Sequence, residues 1–225
     1  MHLLIRFILL VACLNIGIQS TYAGSDFDSN AIVVIKVSGK KDFCTGVVVG
    51  ANDVLTATHC IYELGAQTYY PPNTINIGIG DNITEDDIQW FAVTKISYKP
   101  SAAITNVNDF LGNDIVRLTT PGSLPVTPVA IASGTDSNTA LTAWGFGEDE
   151  WGYYGLKKSR PLENSTFDDK MIAFTSGACR GDSGGPILNA SNHLVGIISV
   201  SEVRHCVESG NRFAQRVGYS RIRNY

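Results

Sequence analysis

Three separate segments of the chain carry side chains whose types suit acyl-transfer chemistry. Ser183 lies in Gly-Asp-Ser-Gly-Gly-Pro, His59 in Leu-Thr-Ala-Thr-His-Cys, and Asp114 in Asn-Asp-Ile-Val-Arg-Leu. A serine hydroxyl is a weak nucleophile that needs a base, and a near-neutral imidazole can take its proton and return it to a leaving amine. A carboxylate buried beside the imidazole fixes its tautomer and stabilises the imidazolium. The residues therefore predict a nucleophile, a base and an orienting acid.

The glycines around Ser183 make its segment the most specific of the three. Flanking glycines permit tight, positive-φ backbone and keep bulk away from an approaching carbonyl. This geometry can aim the N–H groups of Gly181 and Ser183 at a developing oxyanion. The ordinary alternative is a glycine-rich β-turn, which any all-β protein contains.

The histidine and aspartate signals are weaker when taken alone. A histidine after a strand is usually only a satisfied polar residue, but His59 lies beside Cys60, which could anchor its loop to Cys44. His193 and His205 have no such setting and are interpreted as structural or surface residues.

Asp109 is the rival acid, because it lies only five residues before Asp114. The apolar run after Asp114 suits a buried position better, whereas an aspartate before a β-run is also a common turn residue.

Length and charge limit the function classes. The 225 residues suffice for one sizeable domain or two small ones that share an interface. A net charge of -4 gives no electrostatic reason to expect nucleic acid or an anionic membrane surface as a partner. No metal-binding pattern stands out, since there is no Cys-x-x-Cys pair and the histidines do not cluster around the cysteines. We expect no metal and no cofactor.

Residues 1–23 are interpreted as a secretory signal peptide. Arg6 supplies the positive end, a mostly apolar stretch follows, and the segment ends on Ala23, a small residue that suits signal peptidase. The alternative is a bacterial lipoprotein signal ending at Cys13, which would make the protein lipid-anchored or periplasmic. Apolar residues continue past Cys13, which makes this the weaker option. We expect a secreted, extracellular protein.

Four cysteines remain after the targeting segment, an even number that suggests two disulfides in an exported chain. The sequence alone permits three pairings of four cysteines.

The rest of the chain is a series of short strand candidates separated by turn signals. A Pro- and Gly-containing stretch at residues 121–128 is the best linker candidate. The candidate strands, rich in β-branched residues, are 32–37, 46–49, 54–57, 91–96, 114–118, 141–144 and 193–199. Only residues 216–225 could form a short closing helix. The prediction is an all-β protein of two barrel-like halves.

Together these segments resemble the chymotrypsin-like (trypsin-like) serine protease family. Thr-Ala-x-His-Cys, Asp-Ile-x-x-Leu and Gly-Asp-Ser-Gly-Gly-Pro occur in the family's order of His, Asp and Ser, and the resemblance runs from about Ile32 to Val217. It implies two antiparallel six-stranded β-barrels with a short C-terminal helix and the site in the crevice between the barrels. Residues 24–124 would form the barrel with His59 and Asp114, and residues 125–225 the barrel with Ser183.

The same resemblance implies roles for further residues. Gly181 and Ser183 would form the oxyanion hole. The disulfides would join Cys44 to Cys60 and Cys179 to Cys206. The segment that ends at Ser199 looks like the edge strand that pairs with substrate.

The chain departs from the family pattern at its start. The Ile-Val-Gly-Gly segment with which activated family members begin is absent, so the partner of Asp182, which normally receives the new amino terminus, is left open. Our hypothesis is that removal of the signal segment yields the working N-terminus directly. The stretch from Leu156 to Cys179 is also shorter than in most relatives, which should leave the substrate crevice more open.

The substrate pocket departs from the pattern as well. Gly177 stands where relatives that cut after Lys or Arg have an aspartate, and Ser201 replaces a common glycine. Arg212 falls on the pocket wall, and Gly177 with Arg212 is similar to granzyme B, where an arginine receives an aspartate side chain. We predict a preference for Asp or Glu before the scissile bond; the ordinary alternative is an arginine that points to solvent.

These observations predict a secreted serine endopeptidase that acts on polypeptide substrates, is monomeric and is open to protein protease inhibitors. The rival from another class is a catalytically silent, protease-like binding protein, which the missing N-terminal motif favours. An esterase could use the same machinery, and Gly-x-Ser-x-Gly fits loosely, but the all-β pattern and the His, Asp, Ser order oppose it.

Overall fold

The structure is a computed structural model that describes residues 27–85, 87–97, 103–134, 140–203 and 205–218. Nearly all of its regular structure is β. The strands are β1 (Ile32–Val37), β2 (Phe43–Val48), β3 (Asp53–Ala57), β4 (Tyr62–Glu63), β5 (Thr68–Tyr69), β6 (Ile75–Ile79), β7 (Gln89–Ala92), β8 (Lys95–Ser97), β9 (Ile115–Thr119), β10 (Thr142–Gly145), β11 (Lys158–Pro161), β12 (Thr166–Phe167), β13 (Met171–Phe174), β14 (Pro186–Leu188), β15 (Leu194–Ser201) and β16 (Arg212–Arg216). In the described ranges the helices are short 3-10 turns at Ser29–Ala31, Thr58–Cys60, Pro72–Thr74 and Val107–Phe110.

Two antiparallel sheets organise the chain. The first has the order β7-β6-β1-β2-β3-β9-β8 and the second the order β11-β10-β14-β15-β16-β13-β12, with β4 and β5 as a separate two-stranded ribbon. The prediction of an all-β protein with two curled antiparallel halves is confirmed. Each sheet has seven strands where six were expected, since short pieces such as β12 also join the ladder at an edge.

The C-terminal helix was expected from residue 216 onward. Arg216 instead ends β16, where it pairs with Gly196. Residues 219–225, like the signal segment 1–23 and Cys13, lie outside the described residues.

The hydrophobic core explains why these segments form strands. β1 is buried along almost its whole length because strands cover both its edges and side chains cover both its faces. The larger cluster of buried apolar residues is centred on the first sheet but includes Phe146, Leu188 and Ile197 from the second half. A smaller cluster around Phe174 and Ile187 fills the second half. The two halves are therefore packed against each other through apolar contacts.

The connection between the sheets runs from residue 120 to residue 141 and contains the predicted linker and the predicted boundary at 124/125. It stays attached to both halves, because Val129 donates to the Val48 carbonyl and Leu194 donates to the Ala130 carbonyl. Within the described ranges, no helix has both the length and the apolar character needed to cross a bilayer.

Candidate active site

His59 and Asp114 lie together because two neighbouring strands end at the same place. β3 and β9 pair antiparallel, with Ala57 opposite Ile115. The chain leaves β3 directly into the 3-10 turn that carries His59, and it enters β9 directly after Asp114. The backbone N–H of Thr58 donates to the Asp114 carbonyl at 3.1 Å and ties the two ends together.

The carboxylate of Asp114 is fully buried and accepts three hydrogen bonds. Oδ1 accepts the backbone N–H of His59 at 2.9 Å, and Oδ2 lies 2.7 Å from His59 Nδ1 and accepts the Ser199 hydroxyl at 2.5 Å. The backbone N–H of Asp114 donates to the Gln215 side chain. A buried carboxylate is tolerable only when its oxygens are satisfied in this way. Nδ1 of His59 is therefore held in the protonated tautomer, which leaves Nε2 as the free base.

The environment of His59 sets its proton affinity. Burial of the ring disfavours the imidazolium, but the charge of Asp114 and its hydrogen bond outweigh burial and raise the pKa of His59 above its ordinary value. A raised pKa makes the neutral ring a stronger base toward a hydroxyl proton.

Asp109, the rival acid, is placed elsewhere. Its Oδ2 accepts the backbone N–H groups of Thr105 and Asn106 at 2.7 and 3.1 Å, so it caps the 3-10 turn at Val107–Phe110. The structure thus separates a capping aspartate from the aspartate that contacts His59.

Ser183 lies in a loop that both halves of the molecule hold. From the first sheet, the Thr45 N–H donates to the Ser183 carbonyl at 2.8 Å, and the Thr45 hydroxyl donates to the Gly181 carbonyl at 3.0 Å. From the second sheet, Gly184 donates to Ile198, the residue before Ser199, at 2.8 Å. These contacts hold Ser183 between the two halves, and its carbonyl oxygen lies 3.7 Å from the sulfur of Cys60, the residue after His59.

Glycine is required at position 184. Its φ is +79°, and a Cβ atom there would lie 2.1 Å from the Thr56 hydroxyl and 2.3 Å from the Thr45 carbonyl oxygen. Any side chain would both strain the backbone and push the first sheet away from the loop. The glycine-rich pattern is therefore a packing requirement as well as a turn signal.

The predicted oxyanion donors are available. No described group accepts a hydrogen bond from the N–H of Gly181 or Ser183, although neighbouring amides of this loop are paired. Among the described atoms there is likewise no hydrogen bond between Ser183 Oγ and the His59 ring. Such contacts are often long in an unliganded site and close when substrate binds.

Two cavities meet at Ser183. One of about 430 Å³ lies on the side of Phe43, Tyr154 and Gly181. The other, of about 480 Å³, is lined by Ser199, Ser201, Arg212 and other residues. Gly177 is buried against the Pro161 carbonyl and is not among the residues that line this larger cavity.

Basic side chains line part of the larger cavity. They belong to Arg212, to Arg180, which is paired with Asp42 at 3.2 Å, and to His205, which the sequence analysis had assigned to structure or surface. The ring of His205 is paired with Glu148, its Nδ1 lying 3.1 Å from Oε1. Among the described residues that line the cavity there is no carboxylate.

Arg212 is almost fully enclosed, with 3% of its surface exposed, and so does not point to solvent. Its two terminal nitrogens donate to four backbone carbonyls, those of Thr175, Cys206, Glu208 and Gly210, and its Nε–H has no acceptor among the described residues. Burial lowers the pKa of Arg212, and the charge of Glu208 offsets this only in part. The guanidinium is thus fixed in place, without an ion pair among the described carboxylates.

The strand beside this cavity has one open edge. β14 pairs with β15 only as far as Ile197, whereas β16 lines the other side of β15 up to Ser201. Among the described strands, residues 199–201 have a neighbour on one side only. An extended peptide could add a strand at this place.

The structure contains both disulfides, Cys44–Cys60 and Cys179–Cys206. The first ties the His59 turn to β2, and the second ties the Ser183 loop to the rim of the larger cavity. The sulfurs of Cys44 and Cys60 and the His59 ring come within 4.8 Å of one another. They do not form a metal site, because the thiols are oxidised and Nδ1 of the ring is committed to Asp114.

One contact at the site lies outside the sequence predictions. Asp182, whose partner was left open, is paired with Arg160 of β11, with 3.3 Å between Nη1 and Oδ2. No sequence signal links the two residues, because Arg160 belongs to no motif and lies 22 positions away.

Comparison with known proteins shows the family of the chain. The family model described as Trypsin matches residues 16–222. The chain belongs to the trypsin family. It is a serine-type endopeptidase, a hydrolase, as its curated trypsin relatives also indicate. The family assignment agrees with the all-β fold of two curled antiparallel halves.

Individual relatives of this trypsin-family enzyme are distant. A trypsin of Sarcophaga bullata is 25% identical over 237 residues, covering 87% of this chain and 88% of the relative. Trypsin-1 of Astacus astacus is 28% identical over 187 residues, covering 70% of this chain and 76% of the relative. A solved structure of Glu endopeptidase in complex with MPD has a TM-score of 0.68 at 18% identity, covering 87% of this chain and 88% of the other. This structural likeness shows the chymotrypsin fold.

Proposed function

We propose that this enzyme hydrolyses peptide bonds through an acyl-enzyme formed on Ser183, with His59 as general base and Asp114 as its orienting acid. The observation that carries the proposal is the contact of His59 Nδ1 with the buried Asp114 carboxylate. In the serine loop, the N–H groups of Gly181 and Ser183 have no acceptor among the described residues. His59 takes the Ser183 proton as Oγ bonds to the carbonyl carbon. The oxygen then carries a negative charge, which the N–H groups of Gly181 and Ser183 stabilise.

The second half of the cycle uses the same groups. The imidazolium returns its proton to the leaving amine as the peptide C–N bond breaks, and the acyl group stays on Ser183. Water, deprotonated by His59, then attacks the ester, and Ser183 recovers its proton as the acid product leaves. No redox partner or metal ion is needed for this balance.

Hydrolysis of a denatured protein substrate tests the proposal. Purified enzyme should degrade the substrate, and the Ser183→Ala and His59→Ala variants should each lose activity by about 10⁴-fold or more. Asn192→Ala, a turn substitution outside the site, is the control. Full activity in Ser183→Ala would refute the assignment of the nucleophile.

We further propose that the larger cavity accepts an acidic side chain before the scissile bond. An anion entering it would meet Arg180 and Arg212, and no carboxylate is among the described residues of its lining. Because Arg212 is buried without an ion pair among the described residues, and the charge of Glu208 offsets its burial only in part, a substrate carboxylate there would supply the remaining counter-charge. Its terminal N–H groups already serve backbone carbonyls, so Nε–H and the charge itself, rather than a two-point fork, support this binding.

A peptide library in which each amino acid in turn occupies the position before the scissile bond tests this specificity. The wild-type enzyme should favour Asp and Glu over Asn and Gln by about 10-fold or more, the size expected of a charge-assisted contact. Arg212→Met should reduce that ratio, whereas Arg117→Met, in the first sheet, should leave it unchanged. Preference for Lys, Arg or large aromatic residues would reject the proposal.

Secretion is also proposed. Residues 1–23 have the layout of a signal peptide, and the two disulfides fit an oxidising compartment. Expression of the full chain in a secreting host should yield protein in the medium whose N-terminal sequence begins just after Ala23. Retention of residues 1–23 on the purified protein would contradict this.

A further inference from the structure

The carboxylate of Asp182 is enclosed next to the catalytic loop. Asp182 lies between Gly181 and Ser183 in the chain, and 1% of its surface is exposed. Oδ1 accepts the backbone N–H of Gly147 at 2.7 Å, and Oδ2 accepts that of Cys179 at 2.8 Å. The side chain thus joins the start of the loop to a neighbouring segment, and the positions of the amides at 181 and 183 depend on it.

Two glycines shape the space around this carboxylate. A Cβ atom at Gly145 would lie 2.2 Å from Asp182 Oδ1, and one at Gly147 would lie 2.6 Å from the same oxygen. The backbone of the segment 145–147 therefore packs directly on the carboxylate. Little room is left for water, so the negative charge needs a protein cation nearby.

Arg160 supplies that cation. Its Nη1 lies 3.3 Å from Asp182 Oδ2, and its Nη2 donates to the Glu148 carbonyl at 2.6 Å. The residue belongs to β11, where it lies opposite Ala143 of β10, so the sheet fixes its direction. In the described part of the chain it is the one basic group within ion-pair distance of Asp182.

Opposing effects act on the pKa of Asp182. Burial raises the pKa of Asp182, while Arg160, the amides of Cys179 and Gly147, and the more distant Lys158 oppose the rise. Burial outweighs these groups, so the pKa of Asp182 lies above its ordinary value, and Arg160 is the first-named of the groups that oppose the rise.

We infer that Arg160 is the positioning residue that holds the Asp182 loop in the shape that the Gly181 and Ser183 amides need, so that the enzyme does not require a free terminal amine at Asp182 for activity. The inference rests on the proposed role of those amides. In this inference the Arg160 side chain, and not a processed N-terminus, supplies the positive charge that pairs with Asp182.

Neutralising Arg160 tests the inference. In Arg160→Met we expect kcat to fall by about 10- to 100-fold, approaching the effect of losing one oxyanion donor, with KM changed by less than about threefold. Affinity for a peptidyl boronic acid, which mimics the tetrahedral intermediate, should fall in parallel with kcat. Arg160→Lys, which keeps the charge, should restore part of the loss.

Hydrogen exchange separates this inference from the proposed function. Amides of residues 179–184 should exchange faster in Arg160→Met than in wild type, whether or not the wild-type enzyme reacts with a serine-directed probe. Arg216→Met is the matched control, since Arg216 also lies on the second sheet and donates to a backbone carbonyl, that of Asp168. Wild-type exchange and wild-type kcat in Arg160→Met would overturn the inference. A wild-type enzyme inert to the probe would instead count against the proposed function.

A second experiment does not depend on the folding of a variant. The purified protein is compared with a form that carries a removable six-residue extension in front of its own N-terminus. We expect equal kcat values for the two forms. An extended form that is inactive until the extension is removed would overturn the inference, because Asp182 would then need the terminal amine.

Discussion

Replacing Asp114 with asparagine probes the most enclosed charge of the site. The carboxylate lies 2.7 Å from His59 Nδ1, so in the imidazolium form the charge centres are about 4 Å apart. At an effective dielectric constant of about 20, their attraction is about 4 kcal/mol. Losing it should slow the chemical step by about 10³-fold, and the wrong tautomer of His59 should bring the total loss in Asp114→Asn to about 10⁴-fold.

The pH profile should change in a defined direction. In wild type the raised pKa of His59 means that kcat/KM falls on the acid side at a pH above the ordinary histidine value. In Asp114→Asn, burial of the ring is left without its opposing charge and lowers the pKa of His59. The acid limb should therefore move to lower pH, while the plateau drops by about 10⁴-fold.

The assay is kcat/KM for one peptide substrate between about pH 5 and pH 10, a range that spans ordinary histidine titration. Asp109→Asn is the matched control, because Asp109 is the neighbouring aspartate that only caps a turn. It should keep the wild-type profile and stay within about threefold of wild-type activity, as expected for a surface substitution. The reasoning fails if Asp109→Asn loses as much activity as Asp114→Asn, or if the latter keeps the wild-type acid limb.

Two further predictions concern the neighbours of this pair. Ser199→Ala removes the hydroxyl that donates to Asp114 at 2.5 Å. Steady-state kinetics should show kcat/KM lowered by about 10-fold or more, as expected for the loss of a hydrogen bond to a charged group. An unchanged kcat/KM would mean that this bond does not hold the carboxylate. Gly184→Ala places a Cβ where a threonine hydroxyl lies and forces a positive φ, so urea unfolding should show a loss of about 3 kcal/mol or more. Gly134→Ala, where the added Cβ meets nothing within 4 Å, should change stability by less than about 1 kcal/mol; equal losses in the two variants would contradict the packing argument.

The sequence was most informative where local pattern and tertiary environment agree. The apolar run after Asp114 predicted burial, and the structure buries that residue while leaving Asp109 in a capping turn. The alternation of short β-branched runs and turn signals was enough to predict an all-β protein. This pattern did not predict the ends of the strands. The run 91–96 is broken at Val93 and Thr94, because β7 and β8 pair with different strands.

The contacts that the sequence could not predict are those of charged side chains. In the sequence, Arg160 resembles an ordinary surface arginine, because nothing near it in the chain shows that it will lie beside a buried aspartate. Arg212 lines the larger cavity, but its four backbone acceptors could not be predicted, because three of them belong to the loop 206–210, whose fold no motif encodes. His205, which directly precedes this loop, also lines the cavity.

Reaction of the purified enzyme with a fluorophosphonate, followed by mass mapping of the modified peptide, tests the central claim most directly. Only a serine activated by a base and beside oxyanion donors should react rapidly. We predict one covalent adduct, located on Ser183, with no adduct in Ser183→Ala and a much slower reaction in His59→Ala. A correctly folded protein that gives no adduct, or an adduct on another residue, would contradict the account and favour a protease-like binding protein.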